Sequence, residues 1–212
     1  MDLLAVETEL KKRLVYPYAW GRRQNNYYNG LTNFIYKTFI FEELLNEIDS
    51  RFKGKTEYDD FLNYALNRWF NFWSAQAIEN IFCSLPKVEP NLDSKDRLVD
   101  FAIQGITFDH KTSVFPKTYP GTLTEAQKNP ADLIEWLYEN QSQEQRRHLK
   151  NRLFIVLYAN DNQHWKLKSE ISWLRDLVVN YVGSFNPEKL LKFSFESDSV
   201  TLSDIIWAVK EE

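Results

Sequence analysis

Asp100, Asp109 and Lys111 fall within the stretch RLVDFAIQGITFDHKTS, residues 97–113, and are the side chains of this sequence best suited to chemistry. Paired carboxylates hold hard divalent cations through oxygen. A lysine beside them adds positive charge where a reaction develops negative charge. The stretch alternates apolar and polar residues on both sides of Gly105, the pattern of a β-hairpin. With Gln104-Gly105 as a two-residue turn, glycine supplies the positive φ that such turns need. Ile103 then faces Ile106, Ala102 faces Thr107, Phe101 faces Phe108, and Asp100 falls opposite Asp109. Alternation puts Val99, Phe101, Ile103, Ile106, Phe108 and His110 on an apolar face, and Asp100, Ala102, Thr107, Asp109 and Lys111 on the other. Two aspartates in register, their Cβ atoms roughly 5 Å apart, repel each other and call for a cation. Lys111, one pleat along, is one candidate and a bound divalent metal is the other. An ion cluster on a solvated strand face is the alternative reading of the same residues.

Upstream, Glu79 is the only charged residue between Trp69 and Leu85, on a helix apolar on nearly every side. A lone carboxylate on such a helix must be paired, exposed or protonated. Acid-x-Lys alone carries little information, since it also occurs at Glu9-Leu10-Lys11 and Asp93-Ser94-Lys95. The information lies in its placement on an apolar hairpin. Asp100, then Asp109-His110-Lys111 on the next strand, with Glu79 on a preceding helix, resembles the PD-(D/E)XK nuclease superfamily, the restriction-endonuclease-like fold. The resemblance covers about residues 66–160. It implies a core of a helix, a three-stranded meander, a helix and a further strand. It further implies that Asp100 and Asp109 bind Mg²⁺, for which Mn²⁺ substitutes, with Glu79 as a supporting ligand or as the residue that orients the water. Lys111 would activate the attacking water or stabilise the phosphate in transit.

Other candidates are binding residues. The segment YPYAWGRRQNNYY interleaves Tyr16, Tyr18 and Trp20 with Arg22 and Arg23, a composition that suits base stacking and phosphate contact; packing against the helical layer is its other reading. Lys95 and Arg97 flank the hairpin and could touch phosphate. Arg146, Arg147, Lys150 and Arg152 form a second basic cluster, read as a solvated face or as the lining of a groove. His110 alternates onto the apolar face and reads as a packed core histidine.

The elements around these residues divide the chain in two. Asp2 to Val15 carries a helical stripe, a polar aromatic loop runs to Gly30, a second helix spans Thr32 to about Phe52, and a third runs from Thr56 to Pro86. After the hairpin, a loop from Val114 to Leu123 leads to a helix from Asn129-Pro130 through ADLIEWLYEN. LFIVLYA reads as a buried strand, SEISWLRDLVVNYV as an amphipathic helix, LLKFSFES as a strand and TLSDIIWAVK as a closing helix. The expected fold is mixed α/β: a central mixed sheet with flanking helices, a restriction-endonuclease-like core and a helical N-terminal extension. The extension is placed at 1–60, the core at 61–160 and a helix–strand–helix at 161–212, all within one domain.

Composition sets outer limits. The chain has 212 residues, 43% apolar and 26% charged, the balance of a globular protein. A single cysteine excludes an internal disulfide framework, and His110, His148 and His164 lack metal-ligand spacing. The first residues do not read as a signal peptide and no apolar run is long enough to span a bilayer, so a cytoplasmic protein without membrane attachment is expected. A net charge of −4 argues against coating nucleic acid over the whole surface but leaves room for a local basic groove. The leading expectation is a Mg²⁺-dependent nuclease acting on DNA, with homodimerisation left open. The rivals are a nuclease-like domain turned binding or assembly module, and an α/β interaction protein unrelated to nucleases.

Overall fold

Asp2 opens the first helix because its carboxylate takes amide protons that a helix leaves unpaired at its start: it accepts from Leu4 N–H at 3.0 Å and Ala5 N–H at 3.1 Å. The computed structural model of the chain describes residues 1–20, 22–93, 96, 98–140, 149–197 and 199–210. They form two compact units, Met1–Ile78 with Lys168–Ser172 and Glu79–Leu167 with Trp173–Glu212. The division falls between residues 78 and 79, inside a helix, whereas the sequence placed its extension at 1–60 of a single domain.

The first unit is helical. Helix α1 (Leu3–Lys12) buries Val6 and Leu10 and passes into a 3-10 turn, Arg13–Val15. The segment expected as a loop to Gly30 contains a short helix, α2 (Asn26–Leu31), capped by the Asn25 side chain. The expected second helix is broken into a 3-10 turn, Asn33–Tyr36, and α3 (Phe41–Phe52). Buried Arg68 explains the break. It donates to Asn29 O, Thr32 Oγ1, Asn33 Oδ1 and Tyr36 Oη, gathering the turn around one guanidinium. The start of α3 is then capped from α1, where Glu9 accepts Phe41 N–H at 2.7 Å. Helix α4 (Tyr58–Cys83) follows, contributing residues to both units.

The second unit is built on a six-stranded sheet of order β1-β2-β3-β4-β6-β5. Strands β1 (Val88–Pro90), β2 (Phe101–Ile103) and β3 (Ile106–Val114) form an antiparallel meander. Helices α5 (Leu123–Lys128) and α6 (Pro130–Glu139) connect β3 to β4 (Arg152–Ala159), which runs parallel to it. After α7 (Ile171–Gly183) come β5 (Leu191–Glu196) and β6 (Ser199–Lys210); β6 lies parallel to β4 and antiparallel to β5. The fold is therefore mixed α/β with an open mixed sheet. One face of the sheet is covered by Leu133, Ile134, Leu137 and Tyr138 of α6, which pack with Phe154 and Val156 of β4 and Ile205 of β6.

Two elements differ from expectation. TLSDIIWAVK is a strand and not a closing helix, so 161–212 ends as helix–strand–strand. Leu202, Ile205, Ile206 and Val209 recur at helical spacing, which misled the reading, but the β-branched residues Thr201, Ile205, Ile206 and Val209 favour a pleated surface. Neighbours then supply strand partners: Asn151 Oδ1 accepts Leu202 N–H at 2.8 Å and the Ser203 hydroxyl donates to Arg152 O at 2.7 Å. Helix α5 went unread inside the Val114–Leu123 loop and the residues after it. Its signal was present as Thr122-Leu-Thr-Glu125, a capping box in which Thr122 Oγ1 accepts Glu125 N–H and the Glu125 carboxylate takes Thr122 N–H.

Candidate functional site

The hairpin keeps the expected register. Phe101 pairs with Phe108, Ala102 with Thr107 and Ile103 with Ile106. Gln104 and Gly105 both have positive φ, 51° and 81°, the paired left-handed conformation of a type I′ turn. Within the paired strands the buried face is as read, with Phe101, Ile103 and Phe108 out of solvent, whereas Val99 and Ile106 are only half-buried. Phe82, from the last turn of α4, stacks on Phe101 at 4.4 Å, and the His110 ring lies 6.1 Å from each of them.

Register fails at Asp100 itself. This residue lies in a bend before β2, and its N–H donates to Phe108 O at 2.8 Å, one residue short of the position opposite Asp109. An offset of one residue exchanges the faces of a strand. Accordingly the Asp100 carboxylate turns to the His110 side: Oδ2 accepts His110 N–H at 2.8 Å and pairs with His110 Nδ1 at 2.7 Å. The two aspartates thus do not share one strand face as alternation had placed them. Asp109 instead meets Arg152, its register partner on β4, through Arg152 Nε at 2.5 Å from Oδ2. The Arg152 side chain is only 2% exposed and its guanidinium lies over the rings of Tyr138 and Phe154. The basic cluster read at Arg146, Arg147, Lys150 and Arg152 therefore loses Arg152 to the interior, while Arg146 and Arg147 lie outside the described residues.

Lys111 is half-buried on β3 opposite Phe154, on the strand face of Asp109. Glu79 is half-buried in the last turn of α4. Electrostatics ties the acids together around His110. Burial depresses the pKa of this histidine, but the hydrogen bond to Asp100 and the charges of Asp100, Asp109 and Glu79 outweigh it, leaving the pKa raised. The Cys83 thiol is pushed up to about 11 by burial, with Glu79 and Asp100 adding to the shift. Glu79, Asp100 and Asp109 thus converge electrostatically on one imidazole. Among the described residues, no group of three or more His, Cys, Asp and Glu side chains is placed to hold a metal ion. Mg²⁺ does not demand one, because it binds through one or two carboxylates and completes its shell with water and phosphate oxygen. A single carboxylate such as Asp109 suffices by donor chemistry, whereas Asp100 and Asp109 do not face one another as a pair.

The binding candidates fare unevenly. In the first unit, Arg22 is held by Glu57 at 2.5 Å and Asp60 at 3.0 Å and lies over Tyr28, whereas Arg23 is exposed. Lys95 and Arg97 lie outside the described residues. Sequence reasoning missed Arg152 as the partner of Asp109. Its signal was a lone cation opening an apolar strand, which a buried strand tolerates only when the cation is paired. Among the described residues, no helix is long and apolar enough to cross a membrane. No protein-family model, curated protein or solved structure matches the chain.

Proposed function

We propose that the second unit is a divalent-metal-dependent phosphodiesterase of the PD-(D/E)XK type acting on DNA. The observation that carries this reading is the placement of Asp109-x-Lys111 on the third strand of an antiparallel meander that follows a helix and leads, through two further helices, to a parallel strand. The resemblance implies one helix at that crossover, where this chain has α5 and α6. On this reading Asp109 would be the ligand of Mg²⁺ or Mn²⁺ on the Lys111 face, and Asp100 and Glu79, which lie towards His110, would have to leave that side to join it; the ion, when bound, would neutralise phosphate oxygen and lower the pKa of a water. The chain's own residues do the rest. Arg152 and His110 keep the aspartates oriented before substrate arrives, which removes an entropy cost from the chemical step. Lys111 adds positive charge beside Asp109, where negative charge accumulates on the phosphate.

Calorimetric titration of Mn²⁺ into the wild type and the Asp100→Asn, Asp109→Asn double variant, with and without a short duplex, tests the metal site. Binding by the wild type that disappears in the double variant is expected. Lys111→Ala, its melting temperature unchanged, is expected to lose cleavage of a labelled duplex by about a hundredfold or more; wild-type cleavage by this variant would remove Lys111 from the site. A second reading, a nuclease-like module that binds without cutting, is favoured by the partners that both aspartates already have within the chain. Duplex binding with no Mn²⁺ uptake under either condition would select it.

A further inference from the structure

Strand β4 outruns its neighbour β3. Phe115 N–H, just past the end of β3, donates to Leu157 O at 2.9 Å. A regular parallel ladder would continue from Ala159 N–H back to Phe115 O. Ala159 N–H goes instead to a side chain, His164 Nδ1, at 2.9 Å. The imidazole thus stands in for the carbonyl at which the ladder stops. His164 is 6% exposed, and its ring stacks on Tyr158 with centroids 4.9 Å apart and planes 24° apart. The turn that it closes, residues 160–163, is exposed. Asn162 there has a positive φ of 60°, and Asp161 Oδ1 accepts Gln163 N–H at 2.8 Å.

A ring nitrogen that accepts a hydrogen bond carries no proton, so this contact requires the neutral Nε2–H form of His164. We propose that His164 is an acid-sensitive latch on the end of β4: neutral, it holds Ala159 and closes the turn before the 3-10 turn His164–Ser169; protonated, it releases residues 160–163. A proton on Nδ1 sets two donors against each other and strands both a backbone N–H and a charged ring away from water. The charged groups around the ring are Asp161 in the turn and Lys117 in the segment after β3. Burial lowers the His164 pKa and Lys117 adds to the effect, with Asp161 offsetting only part of it. The stability that the neutral ring contributes is therefore complete above the usual histidine value of 6.5 and is lost as pH falls through the lower folded value.

Amide exchange at Ala159, referred to the intrinsic rate at each pH, is to be followed from about pH 7.5 to about pH 5 in the wild type, His164→Asn and His164→Phe. Wild-type protection at Ala159 is expected to fall by about tenfold or more over that range, with the amides of Phe154 and Val156 in mid-strand unaffected. His164→Asn offers an oxygen near the place of Nδ1 and does not titrate, so it is expected to keep the protection and lose the fall. His164→Phe keeps a ring over Tyr158 without an acceptor and is expected to lose the protection already at neutral pH. Long-range proton–nitrogen spectra of the wild type read the tautomer directly and are expected to show Nε2–H; with the wild-type exchange profile they decide the matter even if neither variant folds. An Nδ1–H tautomer at neutral pH, or protection at Ala159 that survives acidification, overturns the proposal. So does a fall that persists in His164→Asn, protection retained in His164→Phe, or an equal loss at Phe154 and Val156, which would mark general loosening in acid.

Discussion

Each acid of the hairpin ends on a basic side chain of the same sheet, Asp100 on His110 and Asp109 on Arg152. Such pairing lets a sheet carry carboxylates in a largely apolar setting, because a buried charge without a partner is severely penalised. Asp204 on β6 shows the contrast. Its carboxylate accepts the Tyr181 hydroxyl at 3.0 Å and the Ile205 N–H at 2.8 Å, both neutral donors. Burial therefore wins at this site and raises the pKa above the usual 3.8, with the two hydrogen bonds offsetting only part of the effect. A carboxyl with a raised folded pKa contributes stability that is fully present below its unfolded value and lost as pH rises through the folded value. Asp204→Asn keeps an oxygen for the Tyr181 hydroxyl and removes the ionisation. This variant is expected to melt above the wild type at pH 7, with the advantage shrinking as pH falls towards 4. Thermal melts across that range check it, and an advantage that grew on acidification would show that Asp204 is stabilised as the anion.

The elements that position the candidate site were the readable ones, for physical reasons that differ from strand to strand. The hairpin was legible because a two-residue turn fixes register through local chemistry, and period-two alternation says which face is buried. Strand β4 was legible because an apolar run buried on both faces has few other uses. Strand β6 was not, since its apolar residues satisfy the helical spacing as well and the decision rests on partners far away in sequence, Asn151 and Arg152 among them. The candidate site divides in the same way. Asp109 and Lys111 are set by one strand, whereas the Asp109–Arg152 contact depends on how β3 and β4 align across two intervening helices, and Asp100 escapes alternation because it lies just outside β2. The hairpin turn also carries a prediction. Gln104 adopts a left-handed conformation that costs most residues about 1–2 kcal/mol and that asparagine tolerates better. Gln104→Asn is therefore expected to gain about 0.5–1 kcal/mol, and Gly105→Ala to lose about 1 kcal/mol by straining the second turn position. Urea midpoints decide this pair, and a destabilised Gln104→Asn would mean that Gln104 makes a contact worth more than its backbone strain.

At the scale of the whole molecule, charge bears on the proposed phosphodiester substrate. The chain carries 30 acidic and 26 basic side chains, a formal net charge of −4. A polyanion approaching such a surface is not steered in by long-range attraction. Arg22, one of the arginines whose composition suited phosphate contact, is already engaged by Glu57 and Asp60. On the proposed function, duplex binding would depend on a small number of local contacts and on a cation bridging carboxylate to phosphate. Without divalent ions, the affinity of the protein for a 20-base-pair duplex is expected to be weaker than about 10 µM at near-physiological salt, in the range of non-specific binding or below it. Added Ca²⁺, which occupies oxygen sites and commonly fails to support cleavage, is expected to strengthen binding by about tenfold or more through that bridge. Because few counterions are released, the slope of log K against log salt is expected to be shallow, corresponding to about three phosphate contacts or fewer. Fluorescence anisotropy across a salt series, with chelator and then with Ca²⁺, measures all three quantities. Tight binding in chelator with a steep salt slope would mean that a basic groove, and not the carboxylate cluster, dominates recognition. The search for the nucleic-acid contact would then move away from the hairpin. A shallow slope with strong dependence on the divalent ion would keep that contact at Asp100, Asp109 and Lys111.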